Sequence, residues 1–196
     1  MAQDQLAQKL ADRAEIETII TLYARAIDRL DRELLLSLYH DDARDNHGGF
    51  IGTATQFADY ALPFLRENFS ATMHHITHIT VELKGNRAAT ESYYYAWHLM
   101  DGDREKVKSF FGEPYAAKCE SDGTLAQGHD FICAGRYIDI FEKRDGTWKI
   151  ADREITVEWK RFGPATTGSA ASGIEAISAP PGRDRNDIAW RNLTKL

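Results

Sequence analysis

The sequence predicts an α+β fold, a cone-shaped α+β barrel in which a curved antiparallel sheet wraps over N-terminal helices. Three observations carry this. Apolar residues recur at helical spacing through the first third of the chain. From residue 75 the period changes to that of strands, in four β-rich runs. Those runs are joined in pairs by the turn signals "KGNR" and "KRDGTW". Helices first and long antiparallel strands after them is the α+β order. Helices on the concave side of such a sheet leave a closed apolar bottom and an open mouth, a shape that holds a small molecule.

In order, residues 5 to 29 read as a helix, with Leu10, Ile16, Ile19, Ile20, Tyr23 and Ile27 at helical spacing. Residues 31 to 39 read as a second, short helix with Asp31 as its N-cap. "DDARDNHGGFIG" reads as a polar turn, a short strand and a Gly-rich corner. Residues 54 to 68 can form a third helix, which Pro63 must bend or break. "HITHITVELKGNRAATESYYYAWHLM" and "FICAGRYIDIFEKRDGTWKIADREITVEWKRF" are the two strand pairs. The polar stretch between them, residues 101 to 130, has the length of a lid loop or a disordered segment. From Gly163 the chain is rich in Ala, Gly, Ser and Pro and holds too few apolar residues for its own core. The division is therefore a domain over 1–162 and a tail over 163–196 that packs on the domain or on a neighbouring subunit. A homo-oligomer is expected, a trimer first.

Composition narrows the function. The chain has 196 residues, 43% hydrophobic and 28% charged, the profile of one globular domain. A net charge of -6 without a basic stripe argues against nucleic acid as a partner. No apolar run approaches the ~20 residues of a membrane span, and the polar N-terminus lacks the apolar core of a signal peptide, so a cytoplasmic protein is expected. Cys119 and Cys133 have no CxxC spacing and read as small buried hydrophobes. Phosphate-loop, dinucleotide and GxSxG motifs are absent from the sequence, and no cofactor is expected.

Four segments occur in order: "ADRAEIETIITLYARAIDRLDRELLLSLYHDDA", "HHITHITVEL", "ATESYYYAWH" and "GRYIDIFEKRDGTWKIADREI". Together they resemble the SnoaL-like branch of the nuclear-transport-factor-2-like superfamily, over roughly residues 8 to 160. The fold hosts dehydratases, dehydrochlorinases, cyclases, isomerases and non-catalytic binders, so the likeness speaks to fold first. In its scytalone dehydratase, bile-acid dehydratase and hexachlorocyclohexane dehydrochlorinase members, an Asp near the end of the first helix orients a His at the start of the first long strand. That His is the base of a cofactor-free elimination. The resemblance puts these roles on Asp28 and His74. It puts a tyrosine five residues before the Asp on Tyr23, and a second pocket histidine near His98. The acid that the bile-acid dehydratase carries on its next strand would fall near Trp97, so that role is unfilled here.

The residues themselves set limits. His74 and His78 would chelate well on a helix, but "HITHITV" is β-branched and alternating, and four strand residues span ~13 Å. A shared metal ion is therefore disfavoured, and no metal site is expected. His75 and His78 read as sheet residues. His74 and His75 point to opposite faces, and the resemblance selects His74 for the cone. Asp28 borders the apolar stripe of its helix, where a carboxylate needs a partner. That partner is His74, or Arg25 or Arg29, or the following helix that Asp28 caps. Tyr23 is either a core aromatic or a donor to a substrate oxygen. His98 is a second acid or donor, or a satisfied sheet histidine. Arg136 closes an ion pair with Glu91 or Asp139, or lines the pocket. Some of the aromatic strand, with Tyr94 and Trp97 foremost, faces the cone beside Phe50 and Phe64, a lining suited to a flat hydrophobic ligand.

The expected function is a cofactor-independent lyase acting on a hydrophobic, aromatic, hydroxylated small molecule. It eliminates water or a related group, or cleaves a C–C bond by retro-aldol chemistry with release of a small aldehyde. The alternatives are a non-catalytic carrier of a hydrophobic ligand, and an isomerase or cyclase on the same fold.

Overall fold

In the computed structural model, residues 2–166, 182–184 and 187–193 are described. The elements run α1 (Ala2–Asp28), α2 (Arg32–Ser37), β1 (Tyr39–Asn46), β2 (Ile51–Thr53), α3 (Ala54–Asn68), β3 (Ala71–Lys84), β4 (Arg87–Met100), α4 (Arg104–Phe111), α5 (Glu113–Ser121), a 3₁₀ turn (Leu125–Gln127), β5 (His129–Arg144), β6 (Thr147–Pro164) and α6 (Ile188–Leu193). The strands form one open sheet in the order β2-β1-β6-β5-β4-β3. The fold is α+β, as the order of periodicities predicts, but the sheet is mixed rather than antiparallel throughout. β1 lies parallel to β6, pairing Tyr39 with Ile150 and Asn46 with Glu154. A strand of the N-terminal half thus enters the sheet beside the last long strand, and a pairing across that sequence distance leaves no local signal.

Local chemistry explains most boundaries. Asp31 caps α2 by accepting from the Leu34 amide at 3.0 Å. Thr53 and Gln56 form a capping box at the start of α3. Asp145 and Gly146 both have positive φ, the requirement of the tight turn that joins β5 and β6. α3 spans the expected residues 54–68, and Pro63 stands inside it without breaking it. The helix runs on to Asn68, because Phe57, Ala61, Leu62 and Leu65 bury one continuous face and outweigh the lost hydrogen bond. In α1 the buried stripe begins at Ile16, and Leu10 is exposed.

Residues 101 to 130 are not a loop. Asp103 caps α4, Pro114 stands in the first turn of α5, and Val107 and Ala116 are fully buried. Short helical turns, α4 capped by Asp103 and α5 started by Pro114, fold where the polar composition suggests a lid. At the far end, the described tail residues lie against the same domain. Arg183 donates to the backbone oxygens of Asp28, Leu65 and Phe69, and the Arg25 guanidinium sits 4.6 Å from the Trp190 ring centroid.

Strand alternation sorts the histidines. Thr72, His74 and Ile76 of β3 face the helices, while Met73 and His75 face outward. His78 takes a positive φ of 49° at a bulge, and the phase flips so that Ile79, Val81 and Leu83 continue the inner face. On β4 the inner positions are Thr90, Ser92, Tyr94, Ala96 and His98.

At the closed end of the cone lies a buried ion pair. Arg153 donates to both carboxylate oxygens of Asp139 at 2.7 Å, and neither side chain is exposed. Its guanidinium also covers the ring of Tyr23 at 3.9 Å and of Tyr137 at 4.5 Å. Removing one partner of such a pair leaves the other charge uncompensated. Arg153→Met should therefore cost about 3–5 kcal/mol, read as a fall in the urea midpoint. A midpoint equal to the wild type would contradict this account.

Candidate active site

The cone encloses a cavity of about 280 Å³. That is at the small end of the ~300–1,000 Å³ typical of ligand pockets. Its walls are mostly aromatic or aliphatic, with Phe57, Tyr60 and Phe64 from α3, Phe110 from α4, and Phe131 from β5. The polar groups that reach it come chiefly from α1, the end of β1, β3 and β4.

Asp28 ends α1, and β3 passes directly against it. Its Oδ1 accepts from His74 Nδ1 at 2.8 Å and from the Thr72 hydroxyl at 2.9 Å, and its Oδ2 accepts from the His74 amide at 2.9 Å. Burial pushes this carboxyl up, but the hydrogen bonds from His74 and Thr72 outweigh burial and hold it below the usual carboxylate range. An ionised Asp28 requires a proton on His74 Nδ1 in that bond. The neutral ring then keeps its lone pair on Nε2, in a side chain that lines the cavity. Asp28 pairs with His74 rather than with Arg25 or Arg29. Arg29 instead meets Asp187 at 3.5 Å.

His98 lines the cavity beside His74, with ring centroids 5.3 Å apart. Its Nδ1 donates to the Phe131 carbonyl at 3.3 Å, leaving Nε2 as an acceptor. Burial, and then the neighbouring His74, push it down to about 3. With Nδ1 bonded to that carbonyl, the neutral His98 ring presents Nε2 as an acceptor rather than a proton. Tyr23 also lines the cavity, and its buried hydroxyl lies 3.3 Å from His47 Nε2. Tyr94 lines it too, but its hydroxyl is spent on the Thr156 carbonyl at 3.0 Å.

Phe64 is a wall residue, whereas Phe50 stands behind the wall, stacked on Tyr60 at 5.2 Å. Two further expected lining residues do not reach the cavity either. Trp97 lies on the outer face, because Ala96 and His98 hold the inner positions, and its indole N–H donates to Asp130 at 2.8 Å. Arg136 is on the outer face as well, paired with Glu158 at 2.8 Å and Glu91 at 3.6 Å. Asp139 belongs to Arg153, not to Arg136.

Sequence reasoning missed His47, Phe57, Tyr60, Phe69, Phe110, Phe131, Cys133 and Tyr137 as lining residues. His47 carried a readable signal, since Asp45 precedes it by two residues and strand alternation puts the pair on one face. Burial pushes the Cys133 thiol up to about 11, so it lines the cavity as a neutral group. Among the described residues, no three His, Cys, Asp or Glu side chains group as a metal ion would need, and no helix is long and apolar enough to cross a membrane.

A short open sheet curled over three helices, with an aromatic cavity and an inward Asp–His pair, defines the class as an α+β cone of the nuclear-transport-factor-2 type. The SnoaL-like domain model matches residues 8–154, and the chain belongs to that family. Comparison with curated proteins gives no sequence match. Solved structures share the fold. LinA has a TM-score of 0.62 at 20% identity, covering 88% of this chain and 97% of that one. A provisionally named scytalone dehydratase from Novosphingobium aromaticivorans DSM 12444 has 0.61 at 22% identity, covering 80% and 90%. A nuclear-transport-factor-2-like superfamily protein from Salmonella enterica has 0.57 at 17% identity, covering 84% and 99%.

The depressed value of His98 gives a pH dependence. A histidine held neutral in the fold binds its proton more readily once unfolded, so stability falls as pH drops from about 6.5 towards 3. His98→Leu should flatten that slope in urea titrations between pH 7 and pH 4. An unchanged slope would show that His98 is protonated in the fold.

Proposed function

We propose that the chain is a cofactor-independent lyase for a hydrophobic, aromatic, hydroxylated small molecule. One observation carries this reading: a histidine fixed by a buried carboxylate, with its free nitrogen on the wall of an apolar cavity. A carrier of apolar ligands has no use for such a pair, since burying a carboxylate costs free energy until it is bonded.

His74 Nε2 takes a proton from the substrate, and Asp28 stabilises the imidazolium that results without itself becoming protonated. For elimination, the proton comes from the carbon next to the leaving group. For retro-aldol cleavage, it comes from a hydroxyl, and the neighbouring C–C bond breaks to release a small aldehyde. His98 accepts a hydrogen bond from the substrate and orients it. Tyr23 faces the leaving or developing oxygen. The flat aromatic walls and the small volume favour a substrate of one or two rings. The dehydrochlorinase and dehydratase names of the neighbours fit this class of chemistry, while their low identities speak to fold.

The test is a mass-resolved screen of wild type beside His74→Ala on aryl alcohols, aryl diols and chlorinated rings. The proposal expects loss of water, HCl or formaldehyde with wild type. The variant should fall by at least about 100-fold, the lower end of what a general base contributes. Its ligand binding should stay within a few-fold. Equal turnover by both proteins would end this reading.

A further inference from the structure

Facing the same cavity is a second Asp–His pair, and the chemistry above does not use it. His47 follows the end of β1 and lines the cavity. Its Nδ1 meets Asp45 Oδ1 at 2.6 Å. Asp45 is fully buried, and its other oxygen accepts from the Tyr39 hydroxyl at 2.8 Å. The imidazole plane is fixed by stacking on Phe57, with centroids 4.3 Å apart. On the far side of the ring, Nε2 lies 3.3 Å from the Tyr23 hydroxyl. Asp45, His47 and Tyr23 thus form a continuous hydrogen-bonded chain that ends on a phenol at the cavity wall.

We propose that this chain is the acid arm of the site, and that His47 supplies, through Tyr23, the proton taken up by the leaving oxygen. The inference rests on the elimination reading and adds to it the group that the reading lacks. Departing hydroxide needs a proton, and His98 has none to give. Tyr23 alone is a poor source. Burial pushes its phenol far up, so it cannot stand as a phenolate and must be refilled as it gives.

His47 is placed to refill it. With a proton on Nδ1 only, His47 accepts from Tyr23, and the phenol hydrogen points away from the substrate. With protons on both nitrogens, Nε2 donates to Tyr23 and frees the phenol hydrogen to face the cavity. A doubly protonated ring would face Asp45 Oδ1, 2.6 Å from Nδ1. Asp45 and Asp139 bring two carboxylates into a cluster whose buried cation is Arg153, with Tyr23, Tyr39 and Tyr137 as its phenols. The His47 side chain is 19% exposed, so solvent can restore the proton after each turnover.

The step balances. His74 Nε2 takes a proton from carbon, and that C–H pair becomes the new π bond. The adjacent C–O bond breaks, with its electron pair going to oxygen. The oxygen takes the Tyr23 proton, and the Tyr23 oxygen takes the Nε2 proton of His47. The products are an alkene and water. His74 then returns a proton to solvent, and His47 recovers one. Tyr23 and Asp28 are five residues apart on α1, about 7.5 Å along its axis, so the acid and the carboxylate that anchors the base are separate groups.

The experiment uses two matched compounds that differ only in the leaving group, hydroxide or chloride. Chloride departs without a proton. His47→Gln should lower kcat on the alcohol about 100-fold, leave KM within about threefold, and remove the alkaline limb of its pH profile. On the chloride it should stay within about threefold of wild type, which also shows that the variant folds. Equal falls on both compounds would mean a merely structural role, and an unchanged alcohol rate would mean none; either overturns the relay. If only the alcohol reacts, the alkaline limb decides: its loss supports the relay and its retention overturns it. If wild type turns over neither compound, the lyase reading falls and takes the relay with it. If His74→Ala is inactive while His47→Gln matches wild type on the alcohol, the relay alone falls.

Discussion

The rest of the site depends on a carboxylate in an unfavourable place. Asp28 ends α1, where the helix dipole disfavours an anion, and it is almost wholly removed from water. It persists because β3 delivers three donors to it from residues 72 and 74. Those bonds fix the end of the helix against the first long strand. They also fix the register that turns His74 inward and His75 outward, and they leave His74 a single basic nitrogen. Arg183, from the tail, then closes over the junction by donating to the Asp28 carbonyl and approaching the Thr72 hydroxyl at 3.4 Å. Structural need and chemical use coincide in one side chain.

The cavity's two polar ends have different supports. The Asp28–His74 end is held by α1, β3 and the described tail residues, and it opens onto Phe69, His98 and Phe131. The Asp45–His47–Tyr23 end is held from below by the buried Arg153 cluster. Between them the wall is nearly all hydrocarbon, where charges interact more strongly than in water. On the proposed reading, His74 is a base at one end and Tyr23 an acid at the other, across an aromatic slot, as a β-elimination requires.

Much of this was legible in the sequence, and the parts that were not share a cause. The 3.6-residue period of α1 and its family likeness put Asp28 and His74 together, because an acid beside an apolar stripe must find a partner. The capping of α2 and the turn at Asp145–Gly146 follow from single residues. Long-range placement does not. The parallel pairing of β1 with β6 joins segments far apart in sequence, and it is this pairing that brings Asp45 and His47 to the cavity. Trp97, three residues after Tyr94, falls on the opposite face of β4, and Arg136 takes the ion pair with Glu91 rather than a place in the pocket. Which ring nitrogen of His98 carries the proton depends on the Phe131 carbonyl, a neighbour set by β4–β5 register. The helices of residues 101 to 130 are short, α4 decided by the Asp103 cap and buried Val107, and α5 by Pro114 in its first turn and buried Ala116 and Cys119, against a polar composition.

The central claim is that Asp28 sets the proton position on His74, and nitrogen-15 NMR of the His74 ring reads it directly. The account predicts, at neutral pH, a protonated Nδ1 and a bare Nε2 in the wild type, with that preference lost in Asp28→Asn. A ring protonated on Nε2 in the wild type, or one indifferent to Asp28→Asn, would contradict it.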